Sequence, residues 1–331
     1  MNFFGIWGRR LRVGALAASF AISGIGVSFA ADADFAAWLK AFRKDAEGQG
    51  ISARTLNLAL ANLEPIPRVI ELDHKQPEFT LTFDDYIARV VPDARVERGR
   101  ELLDENRALL EKVAAKYNVQ PQYIVALWGI ESDYGRTTGD FPVIPSLATL
   151  AYDGRRSAYF RGELITALRI IDRGLIDIDT MRGSWAGAMG QNQFMPSSYL
   201  HYAVDFDGKG HRDIWHDNAD VFASTANYLA QLGWKGGETW GHEVRLPPNF
   251  DSSLADLGVR KPSLEWEGLG VHRADGGPLP DPARDASVVL PGGEGGPAYL
   301  VYDNYRTIMK WNHSTYFATA VGLLADRIAQ K

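Results

Sequence analysis

Glu131 is the residue whose type and position most suggest chemistry, because it stands at the end of an apolar run. Residues 123–130 carry no charged side chain and predict a buried helix from which the carboxylate emerges. Pro121 suits the first turn of that helix, and Gly135 suits the left-handed residue that ends it. The carboxyl end of a helix and apolar surroundings both disfavour an anion, so we expect Glu131 to keep a proton that it can donate near neutral pH. A solvated glutamate at a frayed helix end is the alternative that this stretch leaves open.

The segment 183–199 supplies neutral hydrogen-bonding groups among small residues. Its glycines allow a backbone to approach a ligand or a neighbouring helix closely. Ser184, Gln191 and Gln193 offer hydroxyl and amide groups, which suit hydroxyl- and amide-bearing sugars better than phosphates. A tight turn between packed helices is the alternative interpretation.

The elements that must position these residues are predicted to be helical for most of the chain. Apolar residues recur at helical spacing from residue 33 to about residue 232. Residues 235–300 differ, since they are rich in glycine and proline and contain short β-type runs such as 286–290. Helical spacing returns over 316–328. The sequence therefore predicts a mainly α protein with a small β-containing insertion.

The first 30 residues have the layout of a secretory signal peptide. Three arginines precede an apolar run from residue 13 to residue 29, and small residues at 28 and 30 predict cleavage after Ala30. A membrane anchor is the alternative, but the run is shorter than a comfortable span and is interrupted by glycines. We therefore expect an exported, periplasmic protein with no integral membrane segment after cleavage.

The bulk composition narrows the classes of function. The 331-residue chain contains no cysteine, which excludes a lipidated cysteine, a disulfide framework, a thiolate nucleophile and a cysteine metal site. We therefore do not expect a lipoprotein. The formal charge of the chain is −6, and loss of the three arginines in residues 1–30 changes it to −9. Because nucleic acid calls for a basic face, we expect no nucleic-acid partner.

An ordered set of motifs resembles the lytic transglycosylases that cleave peptidoglycan. Glu131-Ser132 is followed by Gly187-Ala-Met-Gly190 and Gln193-Phe-Met-Pro196, as in the membrane-bound lytic transglycosylase B type and its soluble relatives. Further matching segments follow the family order along nearly the whole mature chain, at 76–79, 147–150, 155–156, 205–215, 226–228 and 311–312. The resemblance implies a lysozyme-like helical core with extra helical and small β elements.

The predicted domain organisation combines this resemblance with the composition. Residues 1–30 are the signal peptide, and residues 31–331 form the lytic transglycosylase catalytic region. Within that region we predict four parts in linear order: a helical part over 31–120, a lysozyme-like core over 121–234, the β-containing insertion over 235–300 and a closing helix of the core over 301–331.

The resemblance implies that Glu131 is the sole catalytic acid and base. It would protonate the oxygen that links N-acetylmuramic acid to N-acetylglucosamine through a β-1,4 bond, and then deprotonate the muramic acid C6 hydroxyl. The product would be a 1,6-anhydro-N-acetylmuramic acid end, formed without water. A two-carboxylate hydrolase needs a partner roughly 5 to 9.5 Å away. Asp133 is the sequence candidate for that partner. Residues two positions apart on a helix point in different directions, so Asp133 should point away from Glu131, and we expect it to cap the helix instead.

Two other functions remain open from the sequence. One is a peptidoglycan hydrolase (muramidase) on the same fold, which would use water positioned by Glu131 or Asp133. The other is a non-catalytic scaffold that binds peptidoglycan. The intact Glu131 argues against the scaffold.

Substrate-binding roles come from the same resemblance, and the implied partner is the glycan strand of peptidoglycan. Ser184 and Gln193 match positions that contact Glu131 or the sugar. Arg155 and Arg156 match a pair near the cleft, where they could meet peptide or lactyl carboxylates. An exposed pair at the start of a helix is the alternative for these arginines.

Three further candidates lie near the end of the chain. Asn312 matches a sugar-binding asparagine of the family. Trp311 stands where tyrosine is also expected, and it keeps an aromatic platform for a sugar. Phe317 departs from the family pattern, since tyrosine is common at that position. The adjacent Tyr316 is therefore the candidate for binding substrate.

The loop that begins at Asp205 resembles an EF-hand in part. The candidate ligands are Asp205, Asp207, His211 and Asp220, of which Asp220 matches a family ligand that closes a longer loop. Lys209 argues against a cation, because it stands where a carboxylate is wanted and adds a repelling charge. We expect that no cofactor is required. The loop leaves a structural Ca²⁺ open, and the alternative is a loop held by its own carboxylate–lysine contacts.

Overall fold

The computed structural model describes residues 26–75 and 81–330. Most of the predicted signal peptide and all of the 76–79 motif lie outside these residues. The helices are α1 Gly26–Gly48, α2 Ala53–Leu60, α3 Pro67–His74, α4 Phe83–Val90, α5 Asp93–Glu105, α6 Arg107–Tyr117, α7 Pro121–Ser132, α8 Val143–Asp153, α9 Ser157–Asp172, α10 Pro196–Tyr202, α11 Asn218–Gln231, α12 Ser263–Gly268, α13 Asp303–Trp311 and α14 Thr315–Ala329. The strands are β1 Phe141–Pro142, β2 Arg182–Gly183, β3 Gly241–Arg245, β4 Lys261–Pro262, β5 His272–Arg273, β6 Asp285–Val289 and β7 Ala298–Val301.

The predicted mainly α fold class is confirmed by this element order. Among the helices of the described residues, none combines the length and the apolar character that crossing a bilayer requires. The described residues divide into two compact units, each built from two separate stretches of chain. The first unit contains residues 81–137 and 202–330, and the second contains residues 26–75 and 138–201. The linear subdivision made from the sequence stays a prediction.

Helix α7 of the first unit is apolar on every side because it is buried on every side. Pro121 occupies its first turn, and every residue of Tyr123–Ser132 is buried. The helix ends where Asp133 takes a left-handed conformation with φ 52°. The expected stop, Gly135, also has a positive φ of 82°, but it lies two residues later. Aspartate tolerates the left-handed region better than most residues, so the turn begins there.

The turn after α7 is fixed by Tyr134, which packs closely against two glycines. A Cβ on Gly129 of α7 would come within 2.6 Å of the Tyr134 ring, and a Cβ on Gly99 of α5 would come within 2.5 Å of its hydroxyl oxygen. That hydroxyl donates to the carbonyl oxygen of Arg95 at 2.7 Å. Glycine at these two positions therefore lets the chain reverse tightly, immediately after Glu131.

The rest of the first unit consists of further helices and one sheet. The sheet is antiparallel with strand order β4-β6-β7-β3-β5, and all its strands lie within residues 241–301. Trp266, Val288 and Leu300 are fully buried in its own apolar cluster. Helix α14 packs on both α5 and α7, so the end of the chain supports the helix that carries Glu131.

The second unit is centred on helices α8 and α9, which pack against each other, with α3 packed on α8 and α2 packed on α9. The short strands β1 and β2 pair through Phe141 and Gly183. Gly183 has no room for a side chain, because a Cβ would lie 2.0 Å from the carbonyl oxygen of Ala188. This close approach fixes the start of the segment 183–199.

Candidate active site

Glu131 is buried in the first unit, and one of its oxygens accepts a hydrogen bond from an indole. The glutamate is 2 % exposed, and Nε1 of Trp311 donates to its Oε1 at 2.6 Å. Trp311 is the last residue of α13 and is itself buried. Tryptophan offers only an N–H donor and carries no charge. The bond therefore fixes the carboxyl group without supplying a counter-ion.

The indole that contacts Glu131 is held in place by aromatic packing. The rings of Tyr228 and Trp311 have centroids 4.5 Å apart, and the rings of Tyr202 and Tyr228 have centroids 4.3 Å apart. The hydroxyl of Tyr228 donates to the carbonyl oxygen of Lys310 at 2.9 Å, which ties helix α11 to the end of α13. The contact between Trp311 and Glu131 was not foreseen from the sequence, because only the folded chain brings residues 180 positions apart into contact.

Asp133, the candidate for a second carboxylate, is paired with arginines. Its Oδ2 lies 2.8 Å from Arg136, and its Oδ1 lies 3.6 Å from Arg95. The residue occupies the C-cap of α7 in the left-handed conformation. These contacts describe a capping residue with two cationic partners.

Ser132, the second residue of the Glu-Ser motif, closes the turn behind Glu131. Its hydroxyl donates to the carbonyl oxygen of Trp128 at 3.2 Å and accepts from the backbone N–H of Gly135 at 3.0 Å. Because Ser132 is fully buried, both hydrogen bonds serve the turn rather than solvent. The serine thus helps to hold the end of α7 on which Glu131 sits.

The segment 183–199 of the second unit is folded by its own side chains. The hydroxyl of Ser184 accepts from the backbone N–H of Ala188 at 3.1 Å. Gln193 has a positive φ of 51°, and its Nε2 donates to the carbonyl oxygens of Gly190 at 2.8 Å and Thr138 at 3.0 Å. Both predicted residues are buried, and both turn the backbone of the segment. Their contact with sugar stays a prediction.

Glu163 of α9 anchors the far end of the same segment. Its Oε2 accepts from the backbone N–H of Ser197 at 2.9 Å, and its Oε1 accepts from the Ser197 hydroxyl at 2.7 Å. Burial raises the pKa of Glu163, while the two hydrogen bonds from Ser197 act in the opposite direction. The sequence analysis missed this residue, since a lone glutamate on an amphipathic helix gives no signal of a buried partner.

The predicted arginine pair converges on one buried aspartate. Arg156 lies 2.6 Å from Oδ1 of Asp73, and Arg155 lies 3.3 Å from Oδ2 of the same residue. All three belong to the second unit. Asp73 was not among the residues expected from the sequence.

The candidates near the end of the chain lie in the first unit. Asn312 is the C-cap of α13 and is largely buried. Tyr316, in the first turn of α14, is half-buried and contacts the rings of Phe83 and Tyr86, with centroids 5.2 Å and 5.5 Å away. Trp311 is 6 % exposed, so most of its surface is covered by protein. The predicted roles of these residues in sugar binding stay predictions.

The loop 205–220 brings three of its four candidate ligands together. Carboxylate oxygens of Asp205, Asp207 and Asp220 lie within 4.8 Å of one another. His211, the fourth candidate, has its Nδ1 3.4 Å from the carbonyl oxygen of Lys209.

The carboxylates of this loop already accept hydrogen bonds from donors within the loop. Asp205 accepts backbone hydrogen bonds from residues 208–210, of which the bond from Gly210 contributes most to holding the pKa of Asp205 below its ordinary value. Asp220 accepts from two backbone N–H groups, but its burial raises its pKa. The Lys209 ammonium lies 2.6 Å from Asp207, and a cation would have to compete with it. The donors present suit a loop closed by its own contacts better than they suit a calcium site, and Ca²⁺ binding stays a prediction.

Comparison with known proteins assigns the chain to a family. Residues 34–326 match the model of the transglycosylase SLT domain, and the chain belongs to this family. The resemblance stated from the sequence motifs is therefore confirmed, as is the lysozyme-like fold class.

Individual relatives agree with this assignment. The chain is 35 % identical over 252 residues to membrane-bound lytic murein transglycosylase B of Escherichia coli (strain K12), which covers 72 % of this chain and 65 % of that protein. The chain thus spans just under two thirds of the length of this curated relative. A structure of SltB3 from Pseudomonas aeruginosa in complex with NAG-anhNAM-pentapeptide is 49 % identical with a TM-score of 0.84, covering 89 % of this chain and 79 % of that one. A structure of Escherichia coli Slt35 in complex with calcium is 30 % identical with a TM-score of 0.75, covering 91 % and 94 %.

Proposed function

We propose that this protein cleaves the β-1,4 bond between N-acetylmuramic acid and N-acetylglucosamine in peptidoglycan, without water, and leaves 1,6-anhydro-N-acetylmuramic acid ends. The observation that carries the proposal is the buried carboxyl group of Glu131, held by the neutral N–H of Trp311. A carboxyl group in such surroundings is suited to give up and recover a proton, because burial favours its neutral form and the indole N–H stabilises its charged form.

The proposed reaction moves one proton twice. Protonated Glu131 donates its proton to the glycosidic oxygen while the bond from that oxygen to C1 of the muramic acid breaks, and N-acetylglucosamine leaves with a 4-hydroxyl group. The muramic acid C6 hydroxyl then attacks C1 and passes its proton to the Glu131 carboxylate. The ring closes as a 1,6-anhydro sugar, and Glu131 is protonated again. Between the two steps, the Trp311 N–H stabilises the carboxylate through a charge-assisted hydrogen bond.

The surroundings of Asp133 support a reaction with one carboxylate. Its contacts with Arg95 and Arg136 and its position at the helix cap give it a structural task. A hydrolase would need a second carboxylate that could activate water or form a covalent intermediate. The two oxygens of Asp133 are instead taken up by contacts with Arg95 and Arg136.

The relatives support the substrate class. One is named a lytic murein transglycosylase, and another was solved with a fragment that contains both sugars, the anhydro ring and a pentapeptide. We accordingly propose glycan strands of peptidoglycan as the partner and the periplasm as the location, reached through the signal peptide predicted at residues 1–30.

Digestion of purified sacculi followed by mass spectrometry of the released muropeptides tests this function. We expect wild-type products one water lighter than hydrolysed muropeptides, and we expect Glu131→Gln to release almost none. The exposed Glu243 on β3 offers a control, since Glu243→Gln makes the same chemical change away from the buried carboxyl. Products with reducing ends alone would show a hydrolase instead, and undiminished release by Glu131→Gln would remove Glu131 from the mechanism.

A further inference from the structure

The β-containing part of the first unit contains a groove with charged residues of both signs on its walls. The groove has a volume of about 880 Å³ and is lined by the end of β3, the turn after α12, the edge strand β5 and the turn that follows β5. Its charged or ionisable lining residues are Arg245, Glu267, His272 and Arg273, and the remaining walls are leucine, proline and glycine. Apolar walls with a few polar groups are the usual form of a site for a small ligand.

Arg245 is the cation of this groove that is available to a ligand. It is exposed, and its side chain forms no hydrogen bond or ion pair with another residue of the described ranges 26–75 and 81–330. His272 lies directly opposite Arg245 in the pairing of β5 with β3, so the two side chains lie next to each other on one face of the sheet. The other arginines of residues 241–301 are all paired with aspartates: Arg260 with Asp303, Arg273 with Asp275 and Arg284 with Asp281.

Glu267 of α12 brings a carboxylate to the same groove. Its Oε1 accepts from the backbone N–H of Leu279 at 3.3 Å, which fixes the side chain in place. Among the residues that the structure describes, no cationic side chain pairs with it. Because an ionised carboxylate accepts at about four sites, Glu267 keeps the capacity to bind a donor from a ligand.

The groove is held in shape before any ligand arrives. Asp275 accepts from Nε of Arg273 at 3.0 Å and from the backbone N–H of Gly277 at 2.9 Å, which fixes the turn after β5. Gly270 has a φ of 84°, and a Cβ there would lie 3.2 Å from Pro247, so glycine keeps this wall open. A ligand that enters a preformed groove loses less free energy to ordering of the protein.

The charges on the walls select a ligand that carries both signs. An anion bound at Arg245 alone would share the groove with the unpaired carboxylate of Glu267, and a cation bound at Glu267 alone would share it with Arg245. A ligand with a carboxylate at one end and an ammonium group at the other avoids both conflicts. Amino acids and peptides with free ends carry these two charges.

We propose that this groove is a second binding site, specific for short peptides that have a free carboxylate and a free ammonium group. Arg245 and His272 bind the carboxylate, and Glu267 binds the ammonium group. Such a ligand has two sources, which are free peptides and peptides attached to glycan. The inference goes beyond the reaction proposed at Glu131 and does not depend on it.

Titration of the protein with trialanine, trialanine amide and N-acetyl-trialanine tests the proposal, with the backbone amide NMR signals of Gly270, Gly276 and Gly277 as the readout. We expect trialanine to shift these signals with a Kd in the millimolar range. Each blocked peptide should bind about tenfold more weakly, because it lacks one of the two charged groups. Equal binding of all three peptides, or signals that trialanine does not shift, would overturn the proposal.

Two variants assign the two ends of the ligand. Arg245→Gln should bind trialanine and its amide equally, because the carboxylate has lost its partner, and Glu267→Gln should bind trialanine and N-acetyl-trialanine equally. Glu267→Gln keeps an acceptor for the Leu279 N–H, so the fold of α12 is retained. Arg89→Gln on α4 and Glu97→Gln on α5 make the same changes at exposed residues outside the groove and should bind like wild type. If the groove variants discriminate among the peptides as well as these controls do, the assignment is wrong.

A soluble muropeptide with a free amino group and a free carboxylate distinguishes the two sources. If it shifts the same three glycine signals and Arg245→Gln weakens this binding, the ligands include peptides attached to glycan. If trialanine binds and the muropeptide does not, the ligand is a free peptide. The measurement contains no cleavage step, so its failure would leave the proposed function untouched.

Discussion

Replacing Trp311 by phenylalanine separates the hydrogen bond to Glu131 from the packing of the ring. The substitution keeps an aromatic side chain against Tyr228 and removes only the N–H that lies 2.6 Å from Oε1. Hydrogen bonds to charged groups contribute about 1.5–3 kcal/mol. If that energy acts on the carboxylate that exists between the two steps, its loss corresponds to roughly a 10- to 100-fold slower reaction, since about 1.4 kcal/mol is tenfold.

The pH dependence of kcat/KM tests whether the lost hydrogen bond stabilised the Glu131 carboxylate. In the proposed mechanism the free enzyme must hold Glu131 protonated to begin the reaction, so the alkaline limb of the profile is expected to report loss of that proton. Without the indole donor the carboxylate is less favoured, and the alkaline limb should move up by about 1–2 pH units. A purely structural role for Trp311 would lower the rate without moving the limb.

A second tryptophan–carboxylate pair in the first unit provides a matched control for the Trp311→Phe substitution. Trp240 donates from Nε1 to Oδ2 of Asp326 at 2.9 Å, so Trp240→Phe makes the same change at a different carboxyl group. Both variants are to be assayed on sacculi over pH 4 to 9, with thermal unfolding measured alongside. We expect Trp240→Phe to lower stability and leave the alkaline limb in place. An alkaline limb that moves no further in Trp311→Phe than in Trp240→Phe would refute the reasoning.

The remaining predictions concern stability. Burial raises the pKa of Asp326 from 3.8 to about 6, so its contribution to stability is fully present below about pH 4 and is lost as pH rises through 6. The loss amounts to about 3 kcal/mol of the free energy of unfolding. Asp326→Asn, which can still accept the hydrogen bond from Trp240, should remove this pH dependence in urea unfolding measured between pH 4 and 7. Glu163→Ala removes both acceptors of Ser197 and should cost about 2–4 kcal/mol, measured by the same unfolding, whereas Glu163→Gln should retain most of the stability at neutral pH. Gly187→Ala should cost at least about 2 kcal/mol, because φ is 83° and the new Cβ would lie 2.5 Å from a leucine side chain; a cost below 1 kcal/mol would contradict this geometry.

Local pattern was enough to predict the helix that carries Glu131. An uninterrupted apolar run can be satisfied only by burial on all sides, and Pro121 marks its start, so α7 and the position of Glu131 near its end followed from the sequence alone. The exact end did not follow. Gly135 has the stronger intrinsic preference for the left-handed region, but Tyr134 must reach the surfaces left open by Gly99 and Gly129, and that packing moves the turn forward to Asp133.

The partners of the charged residues could not be predicted, because they are distant in sequence. Trp311 is 180 positions from Glu131, and Asp73 is 83 positions from Arg156. Nothing in the local composition of α3 distinguishes Asp73 from the exposed acids of other amphipathic helices. The family resemblance transferred roles to the conspicuous residues, Arg155 and Arg156, and gave none to the aspartate that pairs with both of them.

The carboxyl groups of this chain differ in pKa according to their hydrogen-bond partners and their burial. Where lysine and arginine are the partners, as at Glu71, their hydrogen bonds hold the pKa at about 2, and such a group cannot deliver a proton near neutral pH. Where the partner is an indole, as at Asp326, burial dominates and raises the pKa to about 6. Glu131 combines burial with an indole partner, whereas Asp133 and Asp73 have arginine partners. In the proposed mechanism Glu131 must act as an acid and then as a base, and burial beside the neutral donor Trp311 suits both tasks.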